Sequence, residues 1–211
     1  MTQTEGIKPM INTVSSKDID AVGMEKSEPR RWYIAIVNNK SEKLCRQRLE
    51  QRIAHQPDDR KEYEVYVASQ KIWTVTASGK RTFKERIVLR ALVFIRCTDC
   101  LRRGEIAHLP YIKRFMVNIA GVRSGGMRPV AFIPDNQMAD LRRMLNDADE
   151  PVTIDSFSVP LGARVRINNG KLKGLAGFVL EAPNGGTEFV IRIDLLGCAK
   201  IRIAPDLLDL I

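Results

Sequence analysis

The stretch Gly79-Lys-Arg-Thr-Phe-Lys-Glu-Arg-Ile-Val-Leu-Arg-Ala-Leu-Val-Phe-Ile-Arg96 divides into two parts of opposite character. Lys80, Arg81, Lys84, Arg86 and Arg90 stand against one carboxylate, Glu85. Ile87, Val88, Leu89 and then Leu92 to Ile95 form an apolar run rich in β-branched and aromatic residues, a strand that water alone cannot stabilise. The segment therefore reads as a basic hairpin arm running into a strand that faces a core or a partner. Upstream, Glu64 to Ser69 reads as a strand with Val65 and Val67 inward. Ile72 to Thr76 leads to a turn at Ser78-Gly79, so the quoted stretch returns antiparallel. Trp73 reads as core in preference to an exposed stacking platform.

Working outward, residues 1–30 show no persistent period and read as a flexible tail. Trp32 to Val37 is a continuous apolar run, hence a buried strand. Asn38-Asn39-Lys40 turns the chain, Ser41 can cap a helix, and Glu42 suits its first turn. Leu44, Cys45, Leu49 and Ile53 then fall on one helical face. Arg48 and Arg52, four residues apart, project together beside it. The Lys80-Arg81 tip is expected to fold back near them. A short helix over 101–108 stops before Pro110, and Lys113 to Asn118 and Pro129 to Ile133 are strands. Pro134 suits the first turn of a helix whose stripe is Met138, Leu141 and Leu145. Strands and helices without regular βαβ alternation indicate α+β.

Residues 149–158 are acidic and polar around Pro151 and read as a linker between residues 31–148 and residues 159–211. Beyond it, Ala163 to Ile167, Phe189 to Leu195 and Lys200 to Ile203 are short strands separated by Asn-Gly and Gly-Gly turns, the pattern of a small β-barrel. Gly170, Gly174 and Gly177 do not form a dinucleotide fingerprint and read as tight bends.

Of a formal net charge of +9, residues 31–105 hold almost all, with 17 Lys/Arg against 9 Asp/Glu. Cationic charge confined to one section points to a polyanion, nucleic acid first. Residues 151–211 carry 7 Lys/Arg against 6 Asp/Glu, which argues against an RNA-binding barrel of ribosomal type. Cys97 and Cys100 form a lone C-x-x-C; without a second close pair they predict neither a zinc site nor a redox centre. No Ser/His/Asp set, metal cluster or P-loop is visible, so neither an enzyme nor a cofactor is expected. No apolar run reaches membrane-spanning length and the N-terminus lacks a signal-peptide core, which predicts a cytoplasmic protein with no membrane partner.

Leu161-Gly-Ala-Arg-Val-Arg-Ile-Asn-Asn-Gly-Lys-Leu-Lys-Gly-Leu-Ala-Gly-Phe-Val179 resembles the KOW motif. Trp32-Tyr33 opening a strand before a basic helix resembles the start of the NusG N-terminal domain. In this order the two resemble NusG-type transcription elongation factors over about residues 31–211. Gly79-Lys-Arg-Thr82 is similar to the hairpin of RfaH-type paralogues, and Arg128-Pro-Val-Ala-Phe-Ile-Pro-Asp135 to a segment of UpxY-type antiterminators of capsular polysaccharide operons. The resemblance implies an antiparallel sheet flanked by helices, followed by an SH3-like KOW barrel. It implies a monomeric antitermination factor that binds the clamp helices of RNA polymerase through Ile36, Leu89 and Leu92. Arg48, Gln51, Arg52, Lys80, Arg81 and Thr82 match the face that meets non-template DNA. The KOW domain would take a ribosomal protein or a termination factor. The runner-up is a KOW-containing, ribosome-associated RNA-binding protein. One departure stands out: the family's Phe-Pro-Gly-Tyr is here Leu89-Arg90-Ala91-Leu92.

Overall fold

The computed structural model describes residues 28–121, 125, 127–155, 162–182 and 185–211. Most of the expected tail and the end of the expected linker lie outside the described residues. Strand β1 (Arg31–Ile36) is the centre of the first sheet. It pairs antiparallel with β5 (Leu92–Cys97), which pairs in turn with β2 (Glu64–Tyr66). On its other side lie β6 (Arg114–Phe115) and β7 (Phe132–Ile133).

The alternation of β1 and β5 explains why both read as continuous apolar runs: both faces of the sheet are covered. Tyr33, Ala35, Val93 and Ile95 pack with Cys45, Leu49 and Ile53 of helix α1 (Glu42–Arg52) and its end. Trp32, Ile34 and Phe94 pack with Met138, Leu141, Met144 and Leu145 of α3 (Asp135–Asp147). Leu44 departs from the expected stripe and is 48% exposed, because the buried face of α1 runs through Glu42, Cys45 and Leu49. Ser41 occupies the N-cap but makes no capping bond; its hydroxyl donates to the Asn38 carbonyl instead. Pro134 likewise sits just before α3, not within its first turn. The expected helix over 101–108 divides into α2 (Asp99–Gly104) and a 3-10 turn (Ile106–His108).

Strands β3 (Ser69–Val75) and β4 (Arg81–Ile87) form a separate two-stranded arm with Trp73 opposite Phe83. Trp73 is not core: it is 61% exposed and Phe83 57% exposed. The alternation decides this, since Gln70, Ile72 and Thr74 turn toward the body while Lys71, Trp73 and Val75 turn outward. The base of the arm is fixed by Gln70, whose side chain is fully buried. Its amide donates to the Glu150 carbonyl (2.8 Å) and its carbonyl oxygen accepts from the Val152 N–H (2.9 Å). Arg86 adds a bond to the Val152 carbonyl at 2.5 Å.

The C-terminal part is a six-stranded antiparallel sheet in the order β13-β9-β10-β11-β12-β8. Its strands are β8 (Thr153–Asp155), β9 (Arg164–Ile167), β10 (Ala176–Glu181), β11 (Thr187–Ile193), β12 (Gly197–Arg202) and β13 (Leu208–Leu210). β8 lies within the stretch read as a linker and pairs with β12. Gly177 allows close packing: a Cβ there would lie 2.4 Å from the Val190 carbonyl oxygen. Phe189, Ile191 and Ile193 extend the core that begins at Ile34 and α3. Arg143 of α3 donates to the Lys173 carbonyl (2.5 Å), and the Asp194 N–H donates to Gln137 (2.7 Å).

Replacing Gln70 by Ala leaves the Val152 N–H buried without an acceptor. The expected loss is about 1–3 kcal/mol, the cost of one unmet buried donor, read from the shift in denaturant midpoint. An unchanged midpoint would mean that water replaces the amide and that Gln70 does not fix the arm.

Candidate functional site

Ile36 and Leu92 are opposite one another across β1 and β5, on the face that also carries Ile34 and Phe94. Leu89 enters the same region one turn earlier, and all three side chains are half-buried. The turn between Leu89 and Leu92 depends on Ala91, which holds φ at 59°, a left-handed conformation usually left to glycine. Two bonds hold it there. The Ala91 carbonyl accepts from the Val37 N–H at 2.9 Å, and the Ala91 N–H donates to Oε1 of Glu42 at 2.6 Å. Glu42 is 1% exposed, and its other oxygen has no partner among the described residues. Sequence reasoning took Glu42 for a helix-dipole residue and missed this role; the absent glycine at position 91 was the available signal. Beside Ile36, a cavity of about 550 Å³ is lined by Phe115, Met116, Val117, Ile119 and Leu195.

Arg48, Gln51 and Arg52 share the exposed side of α1. The Arg48 guanidinium lies over the Tyr111 ring at 5.5 Å, and Arg52 pairs loosely with Glu105 at 3.7 Å. Lys80, Arg81 and Thr82 are exposed at the far end of the arm. The contacts between the arm and α1 among the described residues lie near the base of the arm and not at this tip. The arm touches α1 at Glu85, which pairs with Lys43 and accepts from the Ser69 hydroxyl. Those two bonds hold the Glu85 carboxyl below the usual range. A groove between the arm and the start of α1 is lined by Asn39, Lys40, Lys43, Ile72, Thr74 and Lys84. The arm therefore passes the N-terminal end of α1, while Arg52 lies nine residues further along, roughly 13 Å at the helical rise. The physical cause is the anchor at Gln70 and Arg86, which sets the direction of the arm. Two basic sets result, one on α1 and one at the tip.

Cys97 is buried and its thiol is pushed up to about 12 by that burial, whereas Cys100 is exposed. Burial disfavours the Cys97 thiolate, the form in which a thiol reacts. Among the described residues no group of three or more His, Cys, Asp or Glu is placed to hold a metal, and no helix is long and apolar enough to cross a membrane.

The family profile NusG, described as transcription termination factor nusG, matches residues 30–142. No curated protein matches the chain. A solved structure of domain interaction in Thermotoga maritima NusG aligns over 86% of this chain and 97% of its own, with 16% identity and a TM-score of 0.44. Two conformations of the MjSpt4:Spt5 complex align over 85% of this chain, each at 12% identity. Conformation A is covered over 97% with a TM-score of 0.27, and conformation B over 96% with 0.30.

Replacing Glu42 by Ala removes the acceptor that holds Ala91 left-handed. Stability is expected to fall by about 1–3 kcal/mol, the cost of a donor left without its acceptor, and amide exchange at Ala91 and Leu92 should accelerate. Unchanged exchange at those amides would show that the turn holds without the carboxylate.

Proposed function

The chain belongs to the NusG family, matched over residues 30–142, and on that premise we propose that it is an elongation factor of the antitermination kind. It binds elongating RNA polymerase and the non-template DNA strand and suppresses pausing or termination. The observation that carries this reading is the pairing of a half-buried apolar ridge with exposed cations on the same body. Ile36, Leu89 and Leu92 offer area that a clamp-helix contact would desolvate. Arg48, Gln51 and Arg52, with Lys80, Arg81 and Thr82, offer charge and hydrogen bonds to a phosphate backbone and its bases. The resemblance of Arg128 to Asp135 to UpxY-type segments supports polysaccharide operons as the setting.

The domain reading is a tail over 1–30, a NusG N-terminal domain over 31–148, a linker over 149–158 whose residues 153–155 join the C-terminal sheet as β8, and a KOW domain over 159–211. The six-stranded C-terminal sheet supports the KOW part of it. That domain would recruit a ribosomal protein or a termination factor, and the whole protein would act as a cytoplasmic monomer without a cofactor.

Replacing Leu92 by Asp should abolish co-purification with polymerase, because an unpaired charge would enter a desolvated contact. Circular dichroism must show the fold intact; retained binding by the folded variant removes Leu92 from the contact. Replacing Arg48 and Arg52 by Ala should weaken crosslinking to the non-template strand in a stalled elongation complex. The slope of affinity against salt should fall by about 1.4, at ~0.7 per phosphate contact on single strands. Polymerase co-purification should persist. A double variant that crosslinks like the parent makes this face merely solvated, and one that also loses polymerase joins the two surfaces into one.

A further inference from the structure

The outer face of the β3–β4 arm carries an aromatic pair that no polymerase or helix contact above uses. Trp73 and Phe83 are cross-strand partners with ring centroids 3.5 Å apart and planes at 33°. Both keep more than half of their surface in water, on an arm that the chain projects beyond its own core. Beyond the intervening pair Thr74–Thr82, Val75 and Arg81 are the next cross-strand pair on the same outward face, and Lys80 is in the adjoining turn. Among the described residues Lys80, Arg81 and Lys84 form no ion pair. The one carboxylate of the arm, Glu85, is already taken up by Lys43 and Ser69.

We propose that Trp73 and Phe83 form a stacking platform for an unpaired base of single-stranded nucleic acid, with Lys80 and Arg81 holding the adjoining phosphates. Flat π-faces beside cations are what an unpaired strand requires, since every base presents a face to stack and every nucleotide a negative charge. A duplex buries its base faces and cannot use the platform. Charge favours a polyanion over a protein partner, because Lys71 and Arg81 on this face form no ion pair among the described residues, while its one carboxylate, Glu85, is bound to Lys43 and Ser69. The inference rests on reading Lys80 and Arg81 as nucleic-acid contacts and adds to them a pair that reading does not include.

Trp73 reports on its own occupancy. The only other tryptophan, Trp32, is 3% exposed and buried in the sheet core. Full-length protein is titrated with a short thymidine oligonucleotide, its uridine counterpart and a duplex of the same length. Both single strands should quench the fluorescence and the duplex should not; the tighter of the two identifies DNA or RNA as the natural source. Read by the anisotropy of a labelled thymidine oligonucleotide, Trp73→Ala and Phe83→Ala should each weaken binding by roughly tenfold or more, the loss of one stacked base, and Trp73→Phe should restore most of it. Phe83→Ala keeps the reporter, so the test survives if Trp73→Ala misfolds. Binding without quenching, or unchanged affinity of both alanine variants, overturns the platform. If Lys80→Ala with Arg81→Ala weakens binding while the aromatic variants do not, the charged tip stands and the platform falls. If no variant matters, both fall. Loss of polymerase co-purification by Trp73→Ala with oligonucleotide affinity unchanged makes the pair a protein contact and also overturns the proposal.

Discussion

The structure depends on the antiparallel pairing of β1 with β5. Six consecutive partners, from Arg31 opposite Cys97 to Ile36 opposite Leu92, place apolar side chains on both faces of one ladder. A sheet that is apolar on both sides cannot leave either in water. One face is covered by α1, the other by α3 and beyond it by the C-terminal strands. At the end of the ladder the cover thins, and Ile36 and Leu92 are left half-buried. The proposed polymerase surface is therefore the uncovered end of the core itself. That position gives the ridge a rigid base and apolar side chains whose orientation is already set, so little ordering remains to be done on binding.

The β3–β4 arm obeys a different constraint. A two-stranded hairpin alone is marginal in water. It persists here because its base is bonded to the 148–152 segment by Gln70 and Arg86, and because Trp73 and Phe83 stack across it. Among the described residues the far end has no apolar cover, and Lys80 and Arg81 there form no ion pair. An arm anchored at one end and charged at the other can reach outside the domain without unfolding it. The direction in which it reaches follows from where Gln70 and Arg86 bind, which is why its tip and the arginines of α1 present two basic sets.

Much of this was legible from residues alone. The continuous runs Trp32 to Val37 and Leu92 to Ile95 announced strands buried on both sides, and the stripe Met138, Leu141 and Leu145 announced α3. The return of Gly79 to Arg96 antiparallel to the preceding strand followed from the turn. What was not legible depended on contacts distant in sequence. Trp73 is exposed because no element among the described residues packs over the outer face of the arm, and composition carries no record of such a gap. Leu44 lost its place in the core to Glu42, since a turn almost fifty residues away needed a carboxylate more than the helix needed another apolar side chain. The direction of the arm rested on Gln70, 80 residues from the carbonyl it binds.

The segment where the family's Phe-Pro-Gly-Tyr becomes Leu89-Arg90-Ala91-Leu92 shows how a local rule can be broken and compensated. A left-handed alanine costs roughly 1–2 kcal/mol relative to its preferred region. A hydrogen bond that meets a donor which would otherwise go unpaired is worth about 1–3 kcal/mol, and the Ala91 N–H finds that acceptor in the buried Glu42. The two magnitudes are comparable, so the Glu42 bond is sufficient to hold a conformation that Ala91 would not choose. Leu89 and Leu92 then flank the turn at the end of the ladder, even though the aromatics and the Pro-Gly bend are gone. Shape is kept while chemistry changes: two leucines present less area and no π-face. A partner surface read by these residues would be held by desolvated aliphatic area alone, and the most exposed aromatic rings among the described residues stand elsewhere, on the arm at Trp73 and Phe83.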